Sequence, residues 1–291
     1  MTGTATLVPP AKPSAAPARA RKPRGERILT AADRTEMVVA WIAGLLWISP
    51  LVYVFYRAFL VEDGAGGHFG LENITSAWER APFGQYYLNT TLLVTGITLA
   101  QLVIGALAAY AFARFTFPGK NVLFIFVLVQ LMIFPEVFMS ENYRTIAGMG
   151  LLDTLAGIGL PYIASAFCIF YLRQAFMGVP GELVEAAKIE GASRLEILWK
   201  VFVPAAKPSL IAYALVSVST QWNNFLWPLI VASSDTTRPI TVGLVRFLAP
   251  ETGMDFPKMA AGTVIVIAPL LAAFLIGQRG FINSFLRSGI K

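Results

Sequence analysis

The stretch VEAAKIEGASRLEILWKVFVP, Val184–Pro204, is polar and charged, yet it lies between two stretches too apolar for water, Gly159–Phe176 and Leu210–Ala232. Its punctuation reads as two short helices. Pro180 opens the first at its first turn, where a missing N–H costs little. Glu182 and Glu185 fall near its start and Lys188 nearer its end, as the helix dipole favours. Gly191 is a natural stop. Ser193 and Glu196 have the S-x-x-E spacing of a capping box, which starts a second helix through Leu195, Ile197, Leu198, Trp199, Val201 and Phe202. Pro204 and Pro208 then turn the chain back. Ala186, Ala187, Gly191 and Ala192 present little side-chain bulk, so another backbone can approach closely. A linker between two apolar helices needs only a few residues. This one is far longer and carries two well-delimited helices, which points to a docking element.

The flanks set the fold class. Charged residues make up 14% of the chain, against about 25% in soluble proteins. The apolar residues cluster in runs of about 20, the length that crosses a bilayer core. Six runs stand out: 37–60, 86–113, 121–140, 159–176, 210–232 and 260–277. They lack the alternation of a barrel strand, and a helix satisfies its own backbone in lipid. The sequence therefore predicts an all-α polytopic membrane protein with six transmembrane helices over residues 37–291. Residues 1–36, rich in Pro, Ala and basic residues, are expected to form a disordered basic tail with no apolar signal region. Arg57, Arg80, Arg144, Arg238, Arg246 and Lys258 are the only basic residues on one side of these spans. All the others lie on the opposite side, which the positive-inside rule makes cytoplasmic, together with both termini and the quoted stretch.

Several chemistries are disfavoured. Cys168 is the only cysteine and His68 the only histidine. Metal binding, a disulfide and a nucleophile–histidine pair therefore have no support. No Walker A pattern is present, so ATP is not hydrolysed by this chain. What remains is a passage, and polar residues within spans are its candidates. The best cluster is QWNNFLWP, Gln221–Pro228, where Gln221, Asn223 and Asn224 offer amides to hydroxyls and Trp222 an aromatic face to a sugar ring. Gln130 and Glu136 reach similar depth on the third span, near Pro135, which should kink or end it. Asn89 sits in the outer turn of the second. The alternative role for such residues is hydrogen bonding between helices and aromatic anchoring at the interface, a role that suits Trp227.

The quoted segment resembles the EAA loop of ATP-binding-cassette importer permeases. Glu185-Ala186-Ala187 is followed by three residues, Gly191 and, thirteen positions later, Pro204. Glu190 stands where Asp is usual and Val203 where Leu is common, without change of charge or apolar character. The segments FARFTFPGK, LDTLAGIGLPYIASAFCIFYLRQAF, WNNFLWPLIV and QRGFINSFLRSGIK are similar to the carbohydrate branch, in particular to the second permease of maltose and glycerol-3-phosphate importers. The resemblance runs from about residue 37 to the end and implies a type I importer permease. In that family the loop, here about 178–208, is a coupling helix docked on a cytoplasmic ATPase. Glu185, Ala186, Ala187, Lys188, Glu190, Gly191, Ala192 and Ser193 would face it. The tail residues Arg287, Ser288 and Gly289 would reach into the ATPase dimer, and the long external loop from Ser233 to Pro257 would meet a solute-binding protein.

The expected partners are a sibling permease, two ATPase subunits, an extracytoplasmic solute-binding protein and membrane lipids, with no nucleic acid. ATP and Mg belong to the ATPase, and this chain binds no cofactor or metal. The expected location is the bacterial plasma membrane. A stand-alone secondary transporter is the alternative from a different class. Six spans are few for it, and no inverted repeat of broken helices is evident. The external side carries more acidic than basic residues, so it offers no general attraction to anions. This favours a neutral carbohydrate or polyol, with glycerol-3-phosphate or a glycerophosphodiester kept open.

Overall fold

The computed structural model of the chain describes residues 31–63, 66–247 and 255–288. It is helical apart from one hairpin. The order is α1 (Ala31–Phe59), β1 (Leu60–Asp63), β2 (Gly66–Phe69), α2 (Glu72–Arg80), α3 (Phe83–Arg114), α4 (Lys120–Gln130), α5 (Met139–Gly148), α6 (Leu155–Gly159) and α7 (Ala166–Met177). Then come α8 (Gly181–Ile189), α9 (Arg194–Ile197), a π-helical turn (Leu198–Phe202), α10 (Val203–Ala205), α11 (Lys207–Trp222), α12 (Leu226–Val231), α13 (Ile240–Gly243) and α14 (Phe256–Ser288). Two 3-10 turns, Pro135–Phe138 and Leu160–Tyr162, precede α5 and α7, and a third, Leu244–Phe247, follows α13.

The chain divides at Pro50 into two units. The described part of the first is the beginning of α1. Its residues are exposed throughout from Thr35, Trp41 and Trp47 among them. α1 starts at Ala31, inside the segment expected to be tail, and residues 1–30 lie outside the described residues. Two helices are long and apolar enough to cross a bilayer unbroken, Thr35–Phe59 and Phe83–Arg114. Three further apolar pairs are bent: α4 against Pro135–Gly148 by 94°, Leu155–Tyr162 against α7 by 48°, and Arg194–Ala205 against α11 by 80°. The third expected span, 121–140, therefore ends early. α4 stops at Gln130, and Pro135 restarts the chain as a 3-10 turn in a new direction. Its ring denies Phe134 a helical backbone, which is extended at φ −68°, ψ 137°.

The second unit is built around α3. Its small residues Gly105, Ala106 and Ala109 lie against α7, and a Cβ at Gly105 would stand 2.3 Å from the Cys168 sulfur. Small residues at such a seam let membrane helices approach closely. Cys168 is buried there, as a packing residue, and donates to the Gln101 carbonyl at 3.3 Å. One apolar cluster joins α3 and α7 to the polar island through Tyr110, Leu172, Phe176, Ile197, Leu198 and Phe202. A second joins the start of α3 to α2, α13 and α14 through Phe83, Tyr86, Ile240 and Phe247. A third holds Trp227 of α12 against Ile146 and Ile158, with its indole N–H on the Ile158 carbonyl at 3.1 Å, the interhelical anchoring expected of that residue.

Helix ends are closed locally. Ser165 caps α7 by accepting from the Cys168 N–H, and Thr154 caps α6 by accepting from the Gly157 N–H. Arg114 donates to the Phe176 and Val179 carbonyls at the far end of α7.

The segment after α12 is held as firmly. Asp153, in a left-handed backbone conformation (φ 55°), accepts from the Ser233 and Ser234 N–H groups at 2.9 and 3.0 Å and from the Thr237 hydroxyl. Asn89 donates to the Thr236 and Arg238 carbonyls, and Arg238 pairs with Asp235. The Ser234 backbone N–H and the Thr237 hydroxyl lower the Asp153 pKa from 3.8 to about 2. Its depressed value makes the clamp fully present above about pH 4 and lost as pH falls towards 2. Asp153→Ala leaves two backbone N–H groups without an acceptor, a loss of about 2 kcal/mol of local stability. Faster amide hydrogen exchange at Ser233 and Ser234 is the expected result at neutral pH. Unchanged exchange there would mean that Asn89 alone secures the segment.

Candidate functional site

A cavity of about 530 Å³ opens where three helical paths are interrupted. Its walls come from the break after α4, the break before α7 and the break at Asn223–Phe225 between α11 and α12. In a membrane protein, non-helical backbone is tolerated where it lines such a space. Five residues expected from the sequence meet here: Gln130, Glu136, Gln221, Asn223 and Asn224. Gln130 ends α4, and Glu136 stands in the 3-10 turn that Pro135 opens. Asn223 is exposed and donates to the Ser219 carbonyl at 2.8 Å, while the Asn224 carbonyl accepts from Thr241 at 2.8 Å. The Tyr162 hydroxyl faces the Asn224 side chain and the Glu136 charge. Glu136 is the only charged residue among those lining the cavity.

Two expected residues stand elsewhere. Asn89 is buried and committed to the carbonyls of Thr236 and Arg238, so it fastens the outer segment. Trp222 points its indole N–H at the Val266 carbonyl at 3.3 Å and packs beside Tyr87. Helical rotation separates it from its neighbours Gln221 and Asn223, since each residue turns the side chain by about 100°.

The cavity also contains residues that the sequence reading passed over. Gln101 is buried midway along α3 and lines it. Its amide N–H donates to the Tyr162 carbonyl at 2.7 Å, and its amide oxygen accepts from the Tyr213 and Ser217 hydroxyls at 2.8 and 2.7 Å. Because Ser217 gives its proton to Gln101, Thr98 must be the donor in the 2.9 Å contact between Thr98 and Ser217. Asn142, Ser165 and Thr220 complete the polar lining. The available signal was a lone amide in an otherwise apolar span, which is costly unless it has partners.

The polar island forms as its punctuation predicts. α8 ends on Gly191 at φ 80°, with the Gly191 N–H on the Lys188 carbonyl and the Ala192 N–H on the Ala187 carbonyl, both at 3.0 Å. This is the paired closure of a Schellman motif, and Ala187 and Ala192 pack against the same cluster. Ser193 and Glu196 form the complete capping box. The second helix differs from expectation at its end. It continues through the π-turn and Pro204 to Ala205, and the 80° bend falls at Ala206. Glu185 pairs with Lys188 and Glu196 with Lys200, each at 2.9 Å. The Lys200 ammonium first, and the Ser193 N–H second, lower the Glu196 pKa to about 2. Ala186, Glu190, Gly191 and Ser193 are exposed, with Ala187 and Ala192 half-buried. Ile189, not singled out from the sequence, is 88% exposed beside them. Arg287 and Ser288 end α14, and Gly289 lies outside the described residues.

The family described as binding-protein-dependent transport system inner membrane component matches residues 93–279. The arabinooligosaccharides transport system permease protein of Bacillus subtilis (strain 168) is 31% identical over 207 residues, 71% of this chain and 73% of the relative. The sn-glycerol-3-phosphate transport system permease protein of Yersinia enterocolitica (serotype O:8, biotype 1B) is 30% identical over 268 residues, 86% of this chain and 95% of the relative. A solved bacterial ABC transporter involved in the import of the acidic polysaccharide alginate has a chain of the same fold. Its TM-score is 0.74 at 23% identity, covering 87% of this chain and 98% of that one. A further alginate transporter structure, in complex with a pentasaccharide-bound periplasmic protein, matches with TM-score 0.63 at 15% identity, over 88% of this chain and 99% of that one. With its type I permease fold, the chain belongs to the inner membrane permease components of binding-protein-dependent ABC transport systems.

Proposed function

We propose that this permease forms, with a different sibling permease, the pathway for a neutral carbohydrate or polyol in an ATP-driven importer. It crosses the bacterial inner membrane six times, with both termini and the polar island in the cytoplasm. The observation that carries the substrate class is the cavity lining. Amides from Gln101, Gln130, Asn223 and Asn224 match hydroxyl groups, which both donate and accept. Aromatic and apolar side chains fill the space between them, and no lysine or arginine is among the lining residues. A phosphate would meet only the Glu136 carboxylate. The relatives' names divide between an oligosaccharide and a glycerol phosphate, so sn-glycerol-3-phosphate is the second reading. The complete importer in proteoliposomes, supplied with its solute-binding protein, distinguishes the two by uptake of labelled substrates. Asn224→Leu should raise the KM for a neutral sugar about tenfold, the value of one hydrogen bond near 1.4 kcal/mol. Uptake of glycerol-3-phosphate alone would reverse the assignment.

The island is the coupling helix in this reading, and two ATPase subunits carry ATP and Mg. Its support is a rigid two-helix element with small exposed residues and a hydrophobic knob at Ile189. A second cavity of about 330 Å³ lies beside Gly191, bordered by Glu190, Glu196 and Lys200, and it would receive a side chain of the ATPase. The end of α14, with Arg287 and Ser288, would extend towards the ATPase dimer. On the outer side, Ser233 and Thr236 are exposed for a solute-binding protein, whereas Gly243 is buried against Tyr86. No neighbouring atom obstructs a side chain at Gly191, so a substitution there acts through its left-handed backbone, at about 1 kcal/mol or more. Glu185→Ala, Ile189→Asp and Gly191→Leu should each leave the chain inserted but release the ATPase, the first by on the order of tenfold or more through loss of a charged contact. Pull-down of the ATPase from membranes, read alongside uptake, is the measurement. Normal pull-down in all three variants would place the coupling contact elsewhere.

A further inference from the structure

The two ends of the helices differ in how their cations are neutralised. Arg57, Arg144, Arg238 and Lys258, on the proposed outer side, each pair with a carboxylate within 4.0 Å. At the opposite end, Arg114, Lys120, Arg173 and Arg194 pair with none among the described residues. Arg114 and Arg173 lie 4.9 and 4.3 Å from the ring centres of Phe202 and Phe124, and Arg194 lies 5.3 Å from that of Phe115. Their hydrogen bonds go to carbonyls only. Lys120 donates to the Phe115 carbonyl at 2.8 Å, and Arg173 to the Phe112 carbonyl at 3.2 Å.

These contacts form one continuous belt around the turn from α3 to α4. Phe115 meets Tyr110 at 5.0 Å, and Tyr110 meets Phe202 at 4.9 Å, which connects Arg194 and Lys120 to Arg114. Phe112 lies 5.4 Å from Phe124, which connects Arg173 to the same turn. Carbonyls and ring faces orient a cation without cancelling its charge. Arg173 and Arg194 have five N–H donors each and Lys120 three. No more than one is used in each of the three. Spare donors on forked and point cations suit the oxygens of a phosphate. Lys120 also begins α4, whose Val122, Leu123, Ile125, Phe126 and Val129 are exposed. An anionic head next to a hydrocarbon body complements both features at once, which an acidic protein surface does not.

We infer that this belt is a binding site for the phosphate headgroup of an anionic phospholipid, with the acyl chains along α4. The inference uses the orientation proposed above only to place the lipid in the cytoplasmic leaflet. Its test is native mass spectrometry of the purified permease complex, titrated with phosphatidylglycerol in phosphatidylcholine, with and without the ATPase. The wild type should retain phosphatidylglycerol selectively in both states. The Lys120→Gln/Arg173→Gln form should hold it on the order of tenfold more weakly. A Lys120→Arg/Arg173→Lys form, of the same charge, should keep it and serves as the control for folding. Equal retention in the Gln form, or equal retention of phosphatidylcholine, overturns the site. Loss of the lipid when the ATPase binds would make the ATPase the neutralising partner instead. Displacement by millimolar inorganic phosphate would make free phosphate the ligand. None of these readouts depends on which solute is transported, so a failed uptake experiment leaves them interpretable.

Discussion

The amide of Gln101 is the constraint on which the membrane part depends. A polar side chain cannot be left without partners in an apolar interior, and this one finds three: the Tyr162 carbonyl and the Tyr213 and Ser217 hydroxyls. Those partners belong to the break before α7 and to α11. One residue of α3 therefore ties together the elements that border the cavity, and the Cys168 thiol adds α7 through the Gln101 backbone carbonyl. The close α3–α7 seam at Gly105 makes that distance possible, because a side chain there would push the thiol away. Packing of small residues and satisfaction of polar groups are here one requirement.

The cavity follows from the same requirement applied to the backbone. Each interruption frees carbonyl and N–H groups that lipid cannot satisfy, so interruptions gather around a polar space. Proline sets one of them, at Pro135. Side chains then do what continuous helices would have done, as where Thr241 donates to the Asn224 carbonyl after α11 has ended. The cavity's chemistry, rich in amides and without a basic residue, is thus partly a consequence of how its walls are made.

Much of the cytoplasmic element was legible in the sequence, because its signals are local. A capping box, a glycine stop and charges matched to the helix dipole act within three or four residues, and the coordinates reproduce each of them. The candidate cavity was legible only in part. Gln130, Glu136, Gln221, Asn223 and Asn224 stand out as polar residues near the ends of apolar runs, where breaks occur. Gln101 does not, since its partners are 61 to 116 positions away and the run around it is unbroken. Asn89 and Trp222 have the right chemistry and depth but the wrong face, which is fixed by tertiary contacts to Thr236, Arg238 and Val266. The early end of α4 was foreshadowed by Pro135, whereas the size of the bend depends on what α5 packs against.

The π-turn at Leu198–Phe202 has a consequence for chain length. A π-turn accommodates one residue more than the α-helix around it. It lets Phe202 reach Tyr110 and Phe176 while Ser193 keeps its cap at the other end of the same short helix. Removing one residue there would restore regular helix and rotate everything after it by about 100° relative to the cap. Phe202 would leave its pocket, and α11 would start with a different face towards α3. Point substitutions in this segment are absorbed locally, but a single-residue deletion is not. The spacing between the capping serine and the helix that follows should therefore be among the least variable lengths in the chain.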